Sequence, residues 1–252
     1  MARLTTDEME ILKKYRLSCE KATTQSSITG QALVKPEQLQ KLLESKEIQL
    51  KLNTSNHKVI GSMIMKRYAF LAALVLYAMS VYNKGINSSL ANLSLQTDEN
   101  DPIWLPSFYF EDLEVTTPEK SRNEWRATVV ESLFKSNITK IVSAISREAK
   151  ISKMILWENT AIYLFWMYES ILEEGKYEEE TLARIKEDFQ FIVTKAPSDL
   201  FGRKGTNPLS KFYHPKKDDI RKRSTCCLFY LTSKNSDRCK TCPIECKQPE
   251  NN

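Results

Sequence analysis

The sequence predicts an α+β protein, mainly α-helical, with a small central β-sheet and a cysteine-rich C-terminal segment. Three observations carry this expectation. Apolar residues recur at helical spacing through most of the chain as far as Pro197. The stretch from Gly85 to Pro118 breaks that pattern with Pro102, Pro106 and Pro118, many Asn and Ser, and short runs of strand-forming residues. Five of the six cysteines then fall between Cys226 and Cys246.

Thr5-x-x-Glu8 is a capping box, so it opens a first helix whose apolar side holds Met9, Leu12 and Tyr15. A polar stretch, Thr23 to Gly30, follows. Pro36 suits the first turn of a second helix through Leu42 and Leu43. Asn56 to Tyr82 is a long helix that becomes apolar all round in its second half, which marks it as buried on most sides. Its apolar run, Tyr68 to Tyr82, has fifteen residues, short of the roughly 20 that a membrane span needs. Ile86 to Leu95 and Ser107 to Val115 are strand candidates, with Phe108 and Phe110 alternating with Tyr109. Ser121-x-x-Glu124 is a second capping box, and Val129, Val130, Leu133 and Phe134 follow at helical spacing. Ile151 to Leu172 reads as an apolar-rich helix. Tyr177, Leu182, Ile185, Phe189 and Ile192 make an amphipathic one that Pro197 stops. The last fifty or so positions read as loops, with Lys247 to Asn252 a loose tail. The division expected is a helical region with a small sheet over residues 1–118, a helical region over 119–200 and a loop-rich segment over 201–252.

With 252 residues, 41% hydrophobic and 27% charged, the chain can bury a sizeable core. A net charge of +5 suits an anionic small ligand or an acidic protein partner and is too diffuse for a dedicated nucleic-acid binder. The segment Met1 to Lys14 is polar and has no apolar leader, so a cytoplasmic protein with no stable membrane insertion is expected. The six glycines, at 30, 61, 85, 175, 202 and 205, spell neither G-x-G-x-x-G nor a P-loop. A dinucleotide site of the usual kind is thus unsupported, and electrons for any redox chemistry must come from outside the chain.

The cysteines follow the pattern C-C-x11-C-x2-C over Cys226, Cys227, Cys239 and Cys242. Clustered cysteines in a reducing compartment argue for metal rather than disulfides. Four thiolates suit zinc and an iron–sulfur cluster equally well by softness. Neighbouring side chains on an extended chain point to opposite sides, so the Cys226–Cys227 pair favours a wider two-iron target over a single tetrahedral ion. A zinc ribbon usually shows two C-x2-C knuckles, and here one is replaced. By spacing alone both readings stand. Cys246 extends the pattern to C-x2-C-x3-C, but proline follows Cys242 rather than the last cysteine, and Cys246 is read as a free thiol. Cys19 stands alone. His214, twelve residues before Cys226, is unneeded as a ligand with four cysteines at hand, and His57 reads as structural or exposed.

The segments Arg223-Ser-Thr-Cys226-Cys227-Leu-Phe-Tyr230 and Cys239-Lys-Thr-Cys242-Pro243 resemble the C-terminus of the ferric siderophore reductases of the FhuF type. Leu156-Trp157-Glu158-Asn159 resembles a Trp-x-Asn helix element of that family, and Asn207-Pro208-Leu209 its Asn-Pro-Leu element. The resemblance covers roughly the C-terminal hundred residues. It departs from the family pattern in its eleven-residue spacer and in the additional Cys246. It implies a [2Fe–2S] cluster held by Cys226, Cys227, Cys239 and Cys242. It also implies one-electron reduction of an Fe(III)–siderophore of hydroxamate or citrate type, with release of Fe(II). The partner expected is an external electron donor such as a ferredoxin. No acid or base is assigned, because the reaction needs proximity rather than bond-making. Tentative substrate residues are Arg223, Lys222, Trp157 and Asn159. Arg221, Lys222, Arg223, Arg238 and Lys240 flank the cysteines and either raise the cluster potential and attract an anionic partner, or form a solvated basic loop. Trp157 and Trp166, on an apolar helix, are ordinarily core residues. Two rival functions remain: a zinc-ribbon-like binding module, and an iron–sulfur electron carrier or redox sensor without a siderophore substrate.

Overall fold

The structure is a computed structural model that describes residues 2–22, 27–98 and 100–244. The expected tail and Cys246 lie outside the described residues, as does part of the polar stretch after Thr23.

In chain order the elements are β1 (Ala2–Arg3), α1 (Thr6–Leu12), β2 (Leu17–Ser18), β3 (Ser27–Thr29), α2 (Gly30–Leu33), α3 (Pro36–Glu44), α4 (Lys46–Lys51), α5 (His57–Tyr82), β4 (Gly85–Ile86), β5 (Leu93–Gln96), β6 (Ser107–Phe110), β7 (Glu114–Thr116), α6 (Arg122–Leu133), α7 (Thr139–Glu148), α8 (Lys153–Glu174) and α9 (Glu179–Gln190). The capping box at Thr5 and Glu8 forms with both of its hydrogen bonds, and the Ser121 hydroxyl accepts from the Glu124 N–H. Further elements fall between the expected ones: the short helices α2 and α4, and α7, which α6 reaches through a π-helical turn, Phe134–Ile138.

The α+β class holds, with one revision. Instead of one central sheet there are two small ones, in the orders β1-β7-β4 and β2-β6-β5-β3. Both draw strands from the first thirty residues. Leu17 pairs with Phe108 in parallel, and Ile28 pairs with Leu95 antiparallel. The physical reason is edge satisfaction: the short strands between Gly85 and Thr116 leave unpaired N–H and C=O groups, and N-terminal segments too short to signal as strands fill those places.

The centre of the molecule is α5. Its side chains from Val59 to Met79 are almost all buried, and 83% of its most apolar stretch lies inside the fold. By length and composition it is the one helix among the described residues that passes as a membrane span. Here it serves as a core helix, as its apolar run suggests. It packs chiefly on α8, and the contacts rise together along both: Asn159 with Ser62, Tyr163 with Phe70, and Tyr168 with Ser80. The two helices therefore run in the same direction, and both present their N-terminal halves to the cysteine segment. Among the described residues that segment has no α-helix or β-strand of its own after α9.

Gly61 sets how closely α5 approaches α7. A β-carbon there would come within 2.7 Å of the Ala149 β-carbon and 3.0 Å of Ile145. Its neighbour, Ser62, belongs to the site described next. Gly61→Val should therefore cost about 1–3 kcal/mol by overpacking, read as a lowered midpoint in urea unfolding.

Candidate metal centre

Three consecutive α8 positions fix the approach to the cysteines. Trp157 faces the core, where its ring meets those of Phe134 and Phe201. Glu158 is buried, and a buried carboxylate must find donors. It takes them from the chain just before Cys226: the Ser224 N–H at 2.5 Å, the Thr225 N–H at 2.8 Å and the Thr225 hydroxyl. Arg223, also buried, sits 3.5 Å from the same carboxylate and donates to Asn159 Oδ1 at 2.6 Å and to the Thr225 carbonyl at 3.1 Å. The Asn159 amide donates to the Ser62 carbonyl at 3.1 Å and to its hydroxyl oxygen at 3.0 Å. The Ser62 hydroxyl in turn donates to the Cys227 carbonyl at 2.7 Å. A continuous polar lattice thus runs from two core helices into the backbone of the cysteine loop.

The second pair of cysteines is tied to the first. The Arg223 N–H donates to the Thr241 carbonyl at 2.9 Å, and the Cys242 N–H closes the knuckle onto the Cys239 carbonyl at 2.9 Å. Cys227 Sγ and Cys239 Sγ stand 3.8 Å apart. Leu228 adopts φ 63°, which turns the chain after the adjacent pair and lets its N–H reach Cys226 Sγ at 3.4 Å. Two cations complete the surroundings. The half-buried Lys66 Nζ is 3.9 Å from Cys227 Sγ and lies over the Phe229 ring, and Arg238 Nη1 is 3.9 Å from Cys242 Sγ. The Cys239 thiol, with Lys66 and Arg223, holds the Cys227 thiol well below the usual range. Cys239, as the hydrogen-bonding partner, is pushed up. Burial raises Cys226, with Cys227 and Cys242 adding to the rise.

This donor set fits an iron–sulfur centre. Four soft thiols lie on one loop system with the sulfurs of Cys227 and Cys239 in contact, two N–H or O–H donors reach sulfur, and cations offset the negative charge that thiolates bring.

The other sequence candidates fall in different places. Asn159 and Arg223 are brought together, but both are buried within the lattice and present no surface to a ligand. Trp157 packs in the core. Lys222 is exposed between Arg221 and Arg223, which both turn inward. Arg221 pairs with Glu169 at 2.7 Å and stacks against Tyr213 and Phe165. The flanking basic residues are thus not simply a solvated loop: two of them are structural struts. Asn207 is another strut. Its amide donates to the Ile192 carbonyl at 2.8 Å and its oxygen accepts the Leu209 N–H at 2.9 Å. Cys19 is exposed on the N-terminal segment. Sequence reasoning missed Ser62, Lys66 and the load on Glu158. Ser62 and Lys66 lie 165 and 161 positions before Cys227, and a serine and a lysine on a helix carry no local signal of such a contact.

Comparison with known families gives two matches. Residues 64–209 match a family described as "Ferric iron reductase FhuF-like transporter", and residues 223–243 match one described as "FhuF 2Fe-2S C-terminal domain". The similarity therefore begins at α5, well upstream of the C-terminal hundred residues. No curated protein matches the chain. The second match identifies the cofactor as a [2Fe–2S] cluster.

The lattice predicts a specific weakness. In Glu158→Gln the new amide N–H₂ group faces the donors of Thr225 and Arg223. The variant should lose roughly 3 kcal/mol of stability and retain less iron and sulfide per chain, measured by chemical denaturation and by metal and sulfide analysis.

Proposed function

The chain belongs to the ferric iron reductase FhuF-like family, and we propose that it reduces Fe(III)–siderophores by one electron and releases Fe(II), with Cys226, Cys227, Cys239 and Cys242 holding the cluster. The observation that carries this reading is the cysteine loop itself, pinned to the core by Glu158, Arg223, Asn159 and Ser62, with Cys227 Sγ and Cys239 Sγ 3.8 Å apart across its two arms.

A [2Fe–2S] centre supplies a store for a single electron when bound. The chain's own residues supply position and charge. The lattice keeps the loop from rearranging when the charge at the sulfurs changes. Lys66 and Arg238 stand beside the sulfurs and favour the more negative, reduced state. The substrate needs one electron and no proton: oxygen donors that hold Fe(III) tightly hold the larger, less charged Fe(II) weakly, so reduction by itself loosens the iron. No side chain has to act as acid or base. Arg223 on the loop and Asn159 on α8 are positioning residues in this account, and Trp157 supports the helix that carries Asn159. The electron comes from a separate donor protein such as a ferredoxin, since the glycines provide no dinucleotide motif. We place the protein in the cytoplasm, where the thiols that bind the cluster stay reduced.

The direct test is stopped-flow mixing of the chemically reduced protein with ferric hydroxamate and ferric citrate complexes, with a ferrous-selective chelator present. Rapid reoxidation matched by one Fe(II) per cluster is expected. Iron release no faster than with cluster-free protein would leave an electron carrier or sensor instead. Cys242→Ser should abolish both the visible absorption of the cluster and the accelerated release. Lys66→Gln should keep the cluster but lower its midpoint potential by roughly 40 mV, equivalent to about 1 kcal/mol for one electron, read by redox titration.

A further inference from the structure

We propose that the ferric chelate seats one edge in the cleft between α8 and the Cys239–Cys242 knuckle, with Trp166 as the surface it packs on. This rests on the reductase reading above and adds the place where the substrate binds.

Glu158, Ile162, Trp166 and Glu169 follow one another at spacings of four, four and three, so they form a single stripe along α8. The start of the stripe clamps the cysteine loop. Its continuation, Ile162, Trp166 and Glu169, floors a cleft of about 240 Å³. The opposite wall includes Lys240 and Thr241, the two residues inside the knuckle, and the Thr241 hydroxyl is 3.8 Å from Cys239 Sγ. A molecule in this cleft therefore lies against the cysteine loop itself. A larger cleft of about 540 Å³ on α9 has no residue of the 226–242 segment in its wall.

The lining has the character of a binding surface. Trp166 is 43% exposed and Ile220, across the cleft, is 37% exposed, both high for large apolar residues. Trp166 is nonetheless held in place: Lys14 Nζ lies 5.9 Å from its ring and Tyr15 packs edge-on at 6.3 Å. Among the charged lining residues, Glu169 is neutralised by Lys216 at 3.0 Å and Arg221 at 2.7 Å. Asp219 is exposed, and Lys240 forms no ion pair among the described residues. Three cations against two carboxylates leave the cleft slightly positive around an apolar floor. Pockets that enclose a small molecule run to about 300–1,000 Å³. This one is smaller, so it takes the hydrocarbon edge of a chelate and leaves the remainder in solvent.

The test uses the cluster-loaded full chain and the variants Trp166→Ala and Trp166→Phe. Trp166 is on the surface, and unchanged circular dichroism and cluster absorption confirm that each variant is intact. Titration calorimetry with a redox-inert Ga(III) trihydroxamate chelate reads binding without electron transfer. Affinity should fall about fivefold in Trp166→Ala, the scale of one lost aromatic contact, and stay near the native value in Trp166→Phe. In reoxidation by the Fe(III) chelate, the half-saturating concentration should rise by the same factor while the limiting rate and the midpoint potential stay fixed. Equal Ga(III) chelate affinity in the native protein and Trp166→Ala, or no binding to either, overturns the cleft. So does a Trp166→Ala defect confined to reduction by a donor protein. A native protein that binds the Ga(III) chelate through Trp166 but fails to reduce the Fe(III) chelate overturns the reductase reading and leaves the cleft standing.

Discussion

A carboxylate buried on the flank of a core helix must be given donors or it destabilises the fold by several kcal/mol. Glu158 meets that requirement with the backbone of Ser224 and Thr225, the two residues before Cys226. The same demand on Arg223 is met by Asn159, and on Asn159 by Ser62. Because each group is buried, none can be left unsatisfied without a penalty, and the bonds form as a set. Among its described residues the cysteine loop has only one short 3-10 turn, Phe229–Thr232, and no α-helix or strand to fix its shape. Its shape follows from the polar needs of two helices already held rigid by apolar packing.

That arrangement bears on electron transfer. A centre that changes charge exerts a changing force on whatever surrounds it. A loop held only by its own turns would relax, and the relaxation would add to the barrier. Here the loop is bonded to α5 and α8 in their N-terminal halves, and both helices are buried in one continuous core that also includes Leu209 and Phe212 from the approach to the loop. Cations stand near the sulfurs at fixed distances: Lys66 from α5 and Arg238 from the loop. The surrounding charge is therefore preorganised, set by the fold before any electron arrives.

Much of this was legible in the sequence, in proportion to how local each signal is. The long helix α5, the capping box at Thr5 and the stop at Pro197 announce themselves within a few residues, because helical periodicity and caps are local physics. The spacing of the cysteines is legible for the same reason: a C-x2-C knuckle such as Cys239–Cys242 is a short-range device. The Asn207-Pro208-Leu209 element has a structural reason: the Asn207 side chain bridges the π-helical turn after α9, Phe191–Lys195, to its own turn. The sheets were half legible. Ser107 to Phe110 alternates cleanly, but two-residue strands such as Leu17–Ser18 exist only because a partner edge needs pairing, and no property of those two residues foretells it. Ser62 and Lys66 were silent, being small or charged residues on a helix that otherwise reads as uniform core.

The fate of the basic residues shows how composition misleads in detail. Five cations flank the cysteines in sequence, and their sum suggests a positive patch. In space, alternation along an extended segment sorts them: Arg221 and Arg223 turn inward to Glu169 and Glu158, and Lys222 between them faces out. Charge counted along the chain overstates the field at the surface, because an arginine that pairs with a buried glutamate is spent on structure. What remains near the sulfurs is smaller in amount but better placed, and one of its members, Lys66, comes from α5, far from the cysteines in sequence. The electrostatics of this site are a property of the packing of α5 against α8, and the cysteine motif inherits them.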